Sequence, residues 1–371
     1  MIIKNGLVFG TDCRFHRQNV EISDGIITDI SEADISGSEE YDATDCYVIP
    51  GLVDIHLHAA FGYDFCDAKD KSIESIAQYE LKNGITAICP TSMTFPEDKL
   101  SEIFRTIADF GTNTSMAEIV GINMEGPFIS EKKKGAQNEK YIQSPDTEMF
   151  RRLQKVARDL IKILCIAPEM PCSMEVIREL KDEVCISLAH SDADYDTAIE
   201  AFENGACHVT HLFNAMNPFT HRNPGIIGAA CDKENVFVEL ICDGVHIAPA
   251  AIRATFKMFG DDRIVMISDS MMATGLSDGK YELGGQEVIV NGNRATLADG
   301  TIAGSVTNLM DCVRNVVRNV GIPLETAVKC ATINPSKSIG IFDRYGSIEV
   351  GKAGNIVILD KNLEIRHVIK A

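Results

Sequence analysis

Three absences narrow the reading of this chain before any motif is considered. Its twelve cysteines are scattered from Cys13 to Cys330 with no Cys-x-x-Cys pair and no short-range framework, so a disulfide-stapled secreted domain is not indicated. No stretch approaches the roughly 18 apolar residues of a membrane span. The opening Met1-Ile2-Ile3-Lys4-Asn5-Gly6 shows no charged segment followed by a long apolar run, so no secretory leader is expected. Positive charge is scarce: 35 Lys and Arg stand against 54 Asp and Glu, a net charge of −19. Nucleic acid is bound through basic patches and counterion release, which this balance opposes. An acidic surface does not attract an anionic metabolite either, so any such ligand needs a locally positive pocket. Cys89, Cys165, Cys185, Cys207 and Cys242 fall in apolar strand-like runs, where reduced cysteine packs as a small hydrophobe. A reducing cytoplasm is the expected setting, with no membrane and no nucleic acid among the partners.

What is present suits a large α/β protein. The chain has 371 residues, 45% of them hydrophobic, enough for a barrel and a small accessory domain. From Gly84 to Asp269 short aliphatic runs alternate with amphipathic segments, the sign of βα units around a parallel sheet. After a first strand near Val53, strands are predicted at Ile85 to Pro90, Ile119 to Met124, Ile161 to Ala167, Val184 to Ala189, Cys207 to Thr210, Val236 to Cys242 and Arg263 to Ser268. Helices are predicted at Ser72 to Asn83, Pro96 to Phe110, Asp146 to Arg158, Ser173 to Lys181, Asp194 to Glu203 and Pro249 to Phe259. Ser305 is the expected cap of a last helix with a stripe of Leu309, Val313, Val316, Val317 and Val320, ended by Gly321 and Pro323.

Eight strands favour a TIM-like (β/α)8 barrel over residues 51–343. Short strands at both ends (Ile2 to Phe9, Asn19 to Ile22, Ile26 to Ile30, Ser347 to Val350, Asn355 to Leu359) predict a small β-sandwich built from residues 1–50 and 344–371. Residues 281–298 carry a hairpin signal at Asn291-Gly292-Asn293 and are expected to add to it.

Candidate chemistry begins at Pro50-Gly51-Leu52-Val53-Asp54-Ile55-His56-Leu57-His58. Polar residues alternate there with Val53, Ile55 and Leu57, the period of a strand. The aliphatics are expected to bury in one layer while two imidazoles emerge on the other face, though such a face also suits a wet cavity. In a barrel of this kind chemistry gathers at the C-terminal ends of strands. Glu125, His190, His211 and Asp269 end the third, fifth, sixth and eighth predicted strands. Taken singly they also suit helix caps or hydrogen-bonded loops. Together, four imidazoles and two carboxylates at one barrel mouth form an N/O ligand set suited to zinc or iron(II). His208 stands three residues before His211, so only one of the two is expected to be a ligand. His16, His221 and His367 lack a strand-end setting.

With these residues the chain resembles the amidohydrolase superfamily and, within it, the family of N-acetylglucosamine-6-phosphate deacetylases. The resemblance covers essentially the whole chain. It rests on the His-x-His strand, Met124-Glu125-Gly126-Pro127-Phe128, Thr210-His211-Leu212-Phe213-Asn214-Ala215-Met216, Arg222-Asn223-Pro224-Gly225, Cys242-Asp243-Gly244-Val245-His246 and Ile302-Ala303-Gly304-Ser305. The fourth strand ends Ile166-Ala167-Pro168-Glu169, without the lysine that bridges two metals in many related hydrolases, which weakens dihydroorotase and hydantoinase readings.

The resemblance implies a divalent cation, zinc or iron, on Glu125, His190 and His211. It allows a second ion on His56, His58 and shared Glu125, giving one or two per subunit. It implies Asp269 as base and then acid in hydrolysis of the acetamide of a sugar phosphate. It further implies substrate contacts from Ala136, Gln137, Asn214, Ala215, Arg222, His246, Ile302, Ala303 and Gly304, with Arg222 reaching across a homodimer interface. Gln137 departs from the family pattern, where some members place a histidine, so it is read as a substrate contact without a proton to give. Lys132, Lys133 and Lys134 before it read as a solvated loop face. Alternatives are the N-acetylgalactosamine 6-phosphate substrate, nucleobase deamination on a similar barrel, or a non-catalytic relative that has lost its metals.

Overall fold

The computed structural model describes residues 1–33, 35–37 and 39–371. Its centre is parallel β-structure. Leu52–Leu57, Ile85–Pro90 and Glu118–Ile119 form a three-stranded sheet, and Ile122–Met124, Ile161–Ile166, Cys185–Leu188, His208–Val209, Phe237–Ile241 and Ile264–Ile267 follow one another in a curled six-stranded sheet. Backbone bonds join the two at both flanks: Ser92 N–H donates to Asn123 O at 3.0 Å, and Asp269 N–H donates to His56 O at 2.9 Å.

Parallel neighbours need a crossover, and helices supply it. Thr147–Val156 shows why such a segment is helical. The Asp146 side chain accepts from Met149 N–H at 2.9 Å, and Met149, Phe150 and Leu153 form the buried stripe. Pro249–Phe259 starts on a proline, whose missing N–H has no helical partner to lose there. The helix Gly225–Asp232 escaped the sequence reading. Six of its eight residues are buried, so it has no polar face from which a period can be seen. The cap predicted at Ser305 is instead Asn308, whose side chain accepts from Asp311 N–H. Ser305 is occupied elsewhere, donating its hydroxyl to Ser268 O at 2.6 Å.

The two ends of the chain share one sheet. Its order is Ile365–Ile369, Ile356–Leu359, Tyr47–Pro50, Ile2–Phe9, Phe15–Ser23, Ile26–Ser31, with Glu40–Asp42 also beside Ile2–Phe9. The stretch expected as a strand from Ser347 to Val350 has no strand structure. Gly279–Leu283, Gln286–Asn291 and Arg294–Thr296 turn through the expected hairpin, with Asn291 paired to Arg294, but form a separate sheet rather than joining the terminal one. That sheet satisfies its strands internally and reaches the opposite rim, where the Gln286 side chain donates to Ala136 O. Among the described residues no helix is long and apolar enough to cross a membrane.

Two apolar layers sandwich the parallel strands. The larger packs strands against helices, and the smaller gathers Val53, Ile55, Ile163, Cys165, Ile241, Val265 and Ile267 on the inner side. The first strand does not alternate as its sequence suggests. Val53 and Ile55 join the inner layer while Leu57 joins the outer one, because the pairing with Ile85–Pro90 shifts register between Asp54 and Leu57. Such a bulge re-aims side chains. Asp54 is thereby turned from the imidazoles and accepts from the backbone N–H of His56 at 3.2 Å.

Ile163 is fully buried in the inner layer, so Ile163→Ala should lower stability by about 2–5 kcal/mol through lost transfer energy and an unfilled cavity, measured by the shift of the denaturant unfolding curve.

Candidate metal centre

His56 lies within the strand Leu52–Leu57, but the other candidates follow the end of a strand. Leu188, Val209 and Ile267 are the last strand residues ahead of His190, His211 and Asp269. These three have φ of +44°, +28° and +49°, left-handed backbone that costs a side-chain-bearing residue about 1–3 kcal/mol. The chain leaves its pleat at each, and their side chains meet at one centre.

That centre is Glu125, only 2% exposed. Its Oε1 lies 3.1 Å from His190 Nε2 and 3.0 Å from His211 Nε2, and those two nitrogens are 3.1 Å apart. Its Oε2 lies 3.4 Å from His58 Nε2. His56 Nε2 is 3.6 Å from Glu125 Oε1 and buried with no hydrogen-bond partner. Asp269 Oδ1 stands 3.3 Å from His58 Nε2 and 3.7 Å from His56 Nε2. Two overlapping groups result, His56–His58–Glu125 and Glu125–His190–His211, each with ligand atoms within 4.8 Å of one another.

The outer ring nitrogens decide what these groups can hold. His190 Nδ1 is 2.9 Å from the Lys133 carbonyl, His58 Nδ1 is 3.3 Å from the Thr91 carbonyl, and His56 Nδ1 is 2.9 Å from Glu239 Oε2. Those partners only accept, so the proton sits on Nδ1 and each Nε2 offers a lone pair inward. Buried ring nitrogens facing a carboxylate, with one Nε2 unpartnered, suit a positive charge between them, a metal ion or the proton that takes its place. Without a metal ion the same carboxylates draw protons onto the rings, so the place a cation would fill is one that attracts positive charge. Burial pushes the His56 imidazolium down, but Glu239 and Glu125 outweigh it and lift the ring to about 10. Burial pushes the Glu125 carboxyl up, yet His56, His190 and His211 hold it well below the usual carboxylate range. Asp269 is likewise pushed up by burial and drawn down by His58 and His56. The residues present fit a divalent metal with nitrogen and oxygen ligands.

Above the centre opens a cavity of about 400 Å3, lined by Ala136, Gln137, Asn214, Ala215, His246, Ile302 and Gly304 together with His58, Glu125, His190, His211 and Asp269. Ala303 lies buried behind it. Arg222 is not brought there; it lines a separate hollow of about 460 Å3 with Asn217, Pro218 and Asn223. Lys132 and Lys133 also line the cavity, held by Asp192 at 2.8 and 3.7 Å, whereas Lys134 turns to Glu139. Gln137 is buried, donating to Glu125 Oε2 at 2.8 Å and accepting from Thr94 N–H at 2.7 Å. Gly126 follows Glu125 at φ +79°, where an added Cβ would lie 2.2 Å from Thr94 Oγ1; only glycine lets the two segments approach this closely.

The sequence reading missed the residues that hold the ligands. Glu239, fully buried, fixes His56 Nδ1 and also accepts from the backbone N–H of His211 at 3.1 Å. His208 lies on its other oxygen at 3.3 Å and belongs to neither ligand group. Asp243 orients His246 through a 2.7 Å contact to Nδ1. One signal was available: a glutamate flanked by Val238 and Leu240 in an apolar strand must find a partner.

The sequence profile of the Amidohydrolase family matches residues 47–371. The chain belongs to the amidohydrolase family. Among curated amidohydrolase relatives it is 37% identical over 372 residues to N-acetylglucosamine-6-phosphate deacetylase of Bacillus subtilis (strain 168), covering 98% of this chain and 91% of that one. It is 34% identical over 329 residues to the human enzyme of that name, covering 85% and 80%. Among solved structures, a mutant N-acetyl-D-glucosamine-6-phosphate deacetylase from Mycobacterium smegmatis in complex with N-acetyl-D-glucosamine-6-phosphate superposes with a TM-score of 0.93 at 29% identity, over 100% of this chain and 97% of that chain.

Glu239→Gln removes the charge that orients His56 while keeping the side-chain shape. Metal affinity, measured by competition with a chromophoric chelator, should fall about 10- to 100-fold.

Proposed function

We propose that this amidohydrolase hydrolyses the acetamide of N-acetyl-D-glucosamine 6-phosphate, giving D-glucosamine 6-phosphate and acetate, in amino sugar catabolism. The observation that carries the assignment is the pair of ligand groups sharing Glu125 at the floor of one cavity, in a chain that aligns along nearly its whole length with deacetylases of this specificity.

The reading takes the two parallel sheets as one closed (β/α)8 barrel of residues 51–343. It takes residues 1–50 and 344–371 as a small sandwich formed where the terminal sheet branches at Ile2–Phe9. Glu125, His190 and His211 would hold the principal metal, and His56, His58 and Glu125 a second, with zinc or iron(II) best suited to such ligands. When bound, such a cation acidifies water toward neutrality, polarises the acetyl carbonyl and stabilises charge developing on its oxygen.

The chain's own groups do the rest. Asp269, nearly buried at the cavity wall, takes a proton from the attacking water and returns it to the sugar nitrogen as the amine departs. Gln137, whose amide nitrogen spends one hydrogen on Glu125, offers the other beside Ala136 to the acetyl group. Asn214, the Ala215 backbone and His246 contact sugar hydroxyls and phosphate, and the backbone of Ile302, Ala303 and Gly304 closes the pocket. Arg222 has the planar fork that suits phosphate but lies outside the cavity of its own chain. A homodimer in which Arg222 of one subunit serves the cavity of the other reconciles the two facts. The setting is a reducing cytoplasm, consistent with twelve free cysteines.

Acetate release from the purified protein tests the reading: turnover should be abolished by chelation and restored by zinc or iron(II). Ammonia release from a nucleobase, or faster deacetylation of N-acetylgalactosamine 6-phosphate, would reassign the substrate. Asp269→Asn should lower kcat by about 100- to 10,000-fold, and full activity in that variant would refute its role. Arg222→Ala should raise KM for the phosphorylated sugar with little change in kcat, while sedimentation of the unmodified protein should give the mass of two chains.

A further inference from the structure

We infer that Cys185 and Cys207 form a redox-modification site, a dithiol that a hydroperoxide closes to a disulfide. Their sulfur atoms lie 3.6 Å apart. Cys185 opens the strand Cys185–Leu188, and Cys207 directly precedes His208–Val209, the next strand of the same sheet. The backbone N–H of Cys207 donates to Ile186 O at 3.1 Å, which holds the two segments side by side. Neighbouring strands run about 4.8 Å apart, inside the Cα separation of about 4.4–6.8 Å that a disulfide spans. Closure to an S–S bond of about 2.05 Å therefore asks for side-chain adjustment without separating the strands.

Cys89, Cys165 and Cys242 are buried, as expected of small core residues, but Cys185 and Cys207 are only partly covered. Cys13, Cys46 and Cys231 are covered to a similar degree and Cys172 is exposed, so it is the contact between two sulfurs, with their opposed protonation, that sets this pair apart. The two sulfurs share a hydrogen bond in which either thiol can donate. That bond, aided by His208 and opposed by burial, brings Cys207 down to about 6, while the same bond and burial raise Cys185 well above the usual thiol range. A thiolate beside a protonated thiol is the arrangement of a peroxide-reactive cysteine with its resolving partner.

The Cys207 thiolate attacks the O–O bond of the hydroperoxide, taking the terminal OH as a sulfenic acid and expelling an alkoxide, or hydroxide from hydrogen peroxide, which takes a proton from solvent and leaves as an alcohol or water. Cys185 then attacks that sulfur, the S–S bond forms, and water leaves with the Cys185 proton. Two thiols are oxidised and one peroxide reduced. The pair sits at the starts of strands whose far ends precede His190 and His211, so the inference stands independently of the proposed deacetylase activity.

The test is non-reducing peptide mapping of the full-length protein after stoichiometric hydrogen peroxide. A peptide joining Cys185 to Cys207, two hydrogens lighter than its separate parts and released by dithiothreitol, is the expected product. Cys172→Ser, which removes the exposed cysteine, should leave that product unchanged. Cys185→Ser should stop at a Cys207 sulfenic acid captured by dimedone. The inference is overturned if Cys207 proceeds to sulfinic acid with Cys185 still a free thiol. It is equally overturned if both stay reduced while Cys172 is oxidised. The map of the unsubstituted protein decides the matter if a variant fails to fold.

Discussion

The centre depends on one constraint: four imidazoles share a dry space with Glu125, and each must present the same nitrogen to it. A free imidazole has no such preference. For three of them it is imposed from behind, by the Lys133 and Thr91 carbonyls and by the Glu239 carboxylate; the fourth, His211, has no partner on Nδ1. Glu239 also accepts from the backbone of His211 and faces His208, so one side chain without any solvent contact ties the first strand to the sixth and seventh. An unpaired charge at that depth would cost several kcal/mol. Shared among three partners it becomes a brace.

The outer wall of the site obeys the same economy. Gln137 is held at both ends of its amide, by Thr94 and Glu125. Its stiffness is therefore borrowed from a loop, and Gly126 allows that loop to lie close. Two lysines face the cavity although the protein as a whole is strongly acidic, which supplies part of the local positive character that an anionic sugar would need. Asp192 holds both of them in place.

Much of this was legible in the sequence. The strand Ile85–Pro90 and the helix Pro249–Phe259 have the limits that their apolar runs and prolines suggest. All six candidate metal-site and catalytic residues come together, because a residue at a strand end needs only the parallel topology to locate it. Legibility failed where position depends on something other than period. The bulge between Asp54 and Leu57 breaks an alternation that looked regular, yet still delivers both histidines to one place. The helix Gly225–Asp232 is apolar all round and so hid in plain sequence. Glu239 was overlooked because a carboxylate inside a sheet announces its burial but not its partners.

The terminal sheet carries a consequence for synthesis. Tyr47–Pro50 pairs with Ile356–Leu359, and Leu52–Leu57 begins two residues beyond it. On the ribosome, which delivers the amino end first, the hydrogen-bonding edge beside Val48 and Ile49 has no neighbour until Ile356–Leu359 has emerged. A nascent chain therefore carries an open, aliphatic strand edge until every strand of the parallel sheets has been made, and the segment that leads into the histidine-bearing strand gains its second neighbour only afterwards.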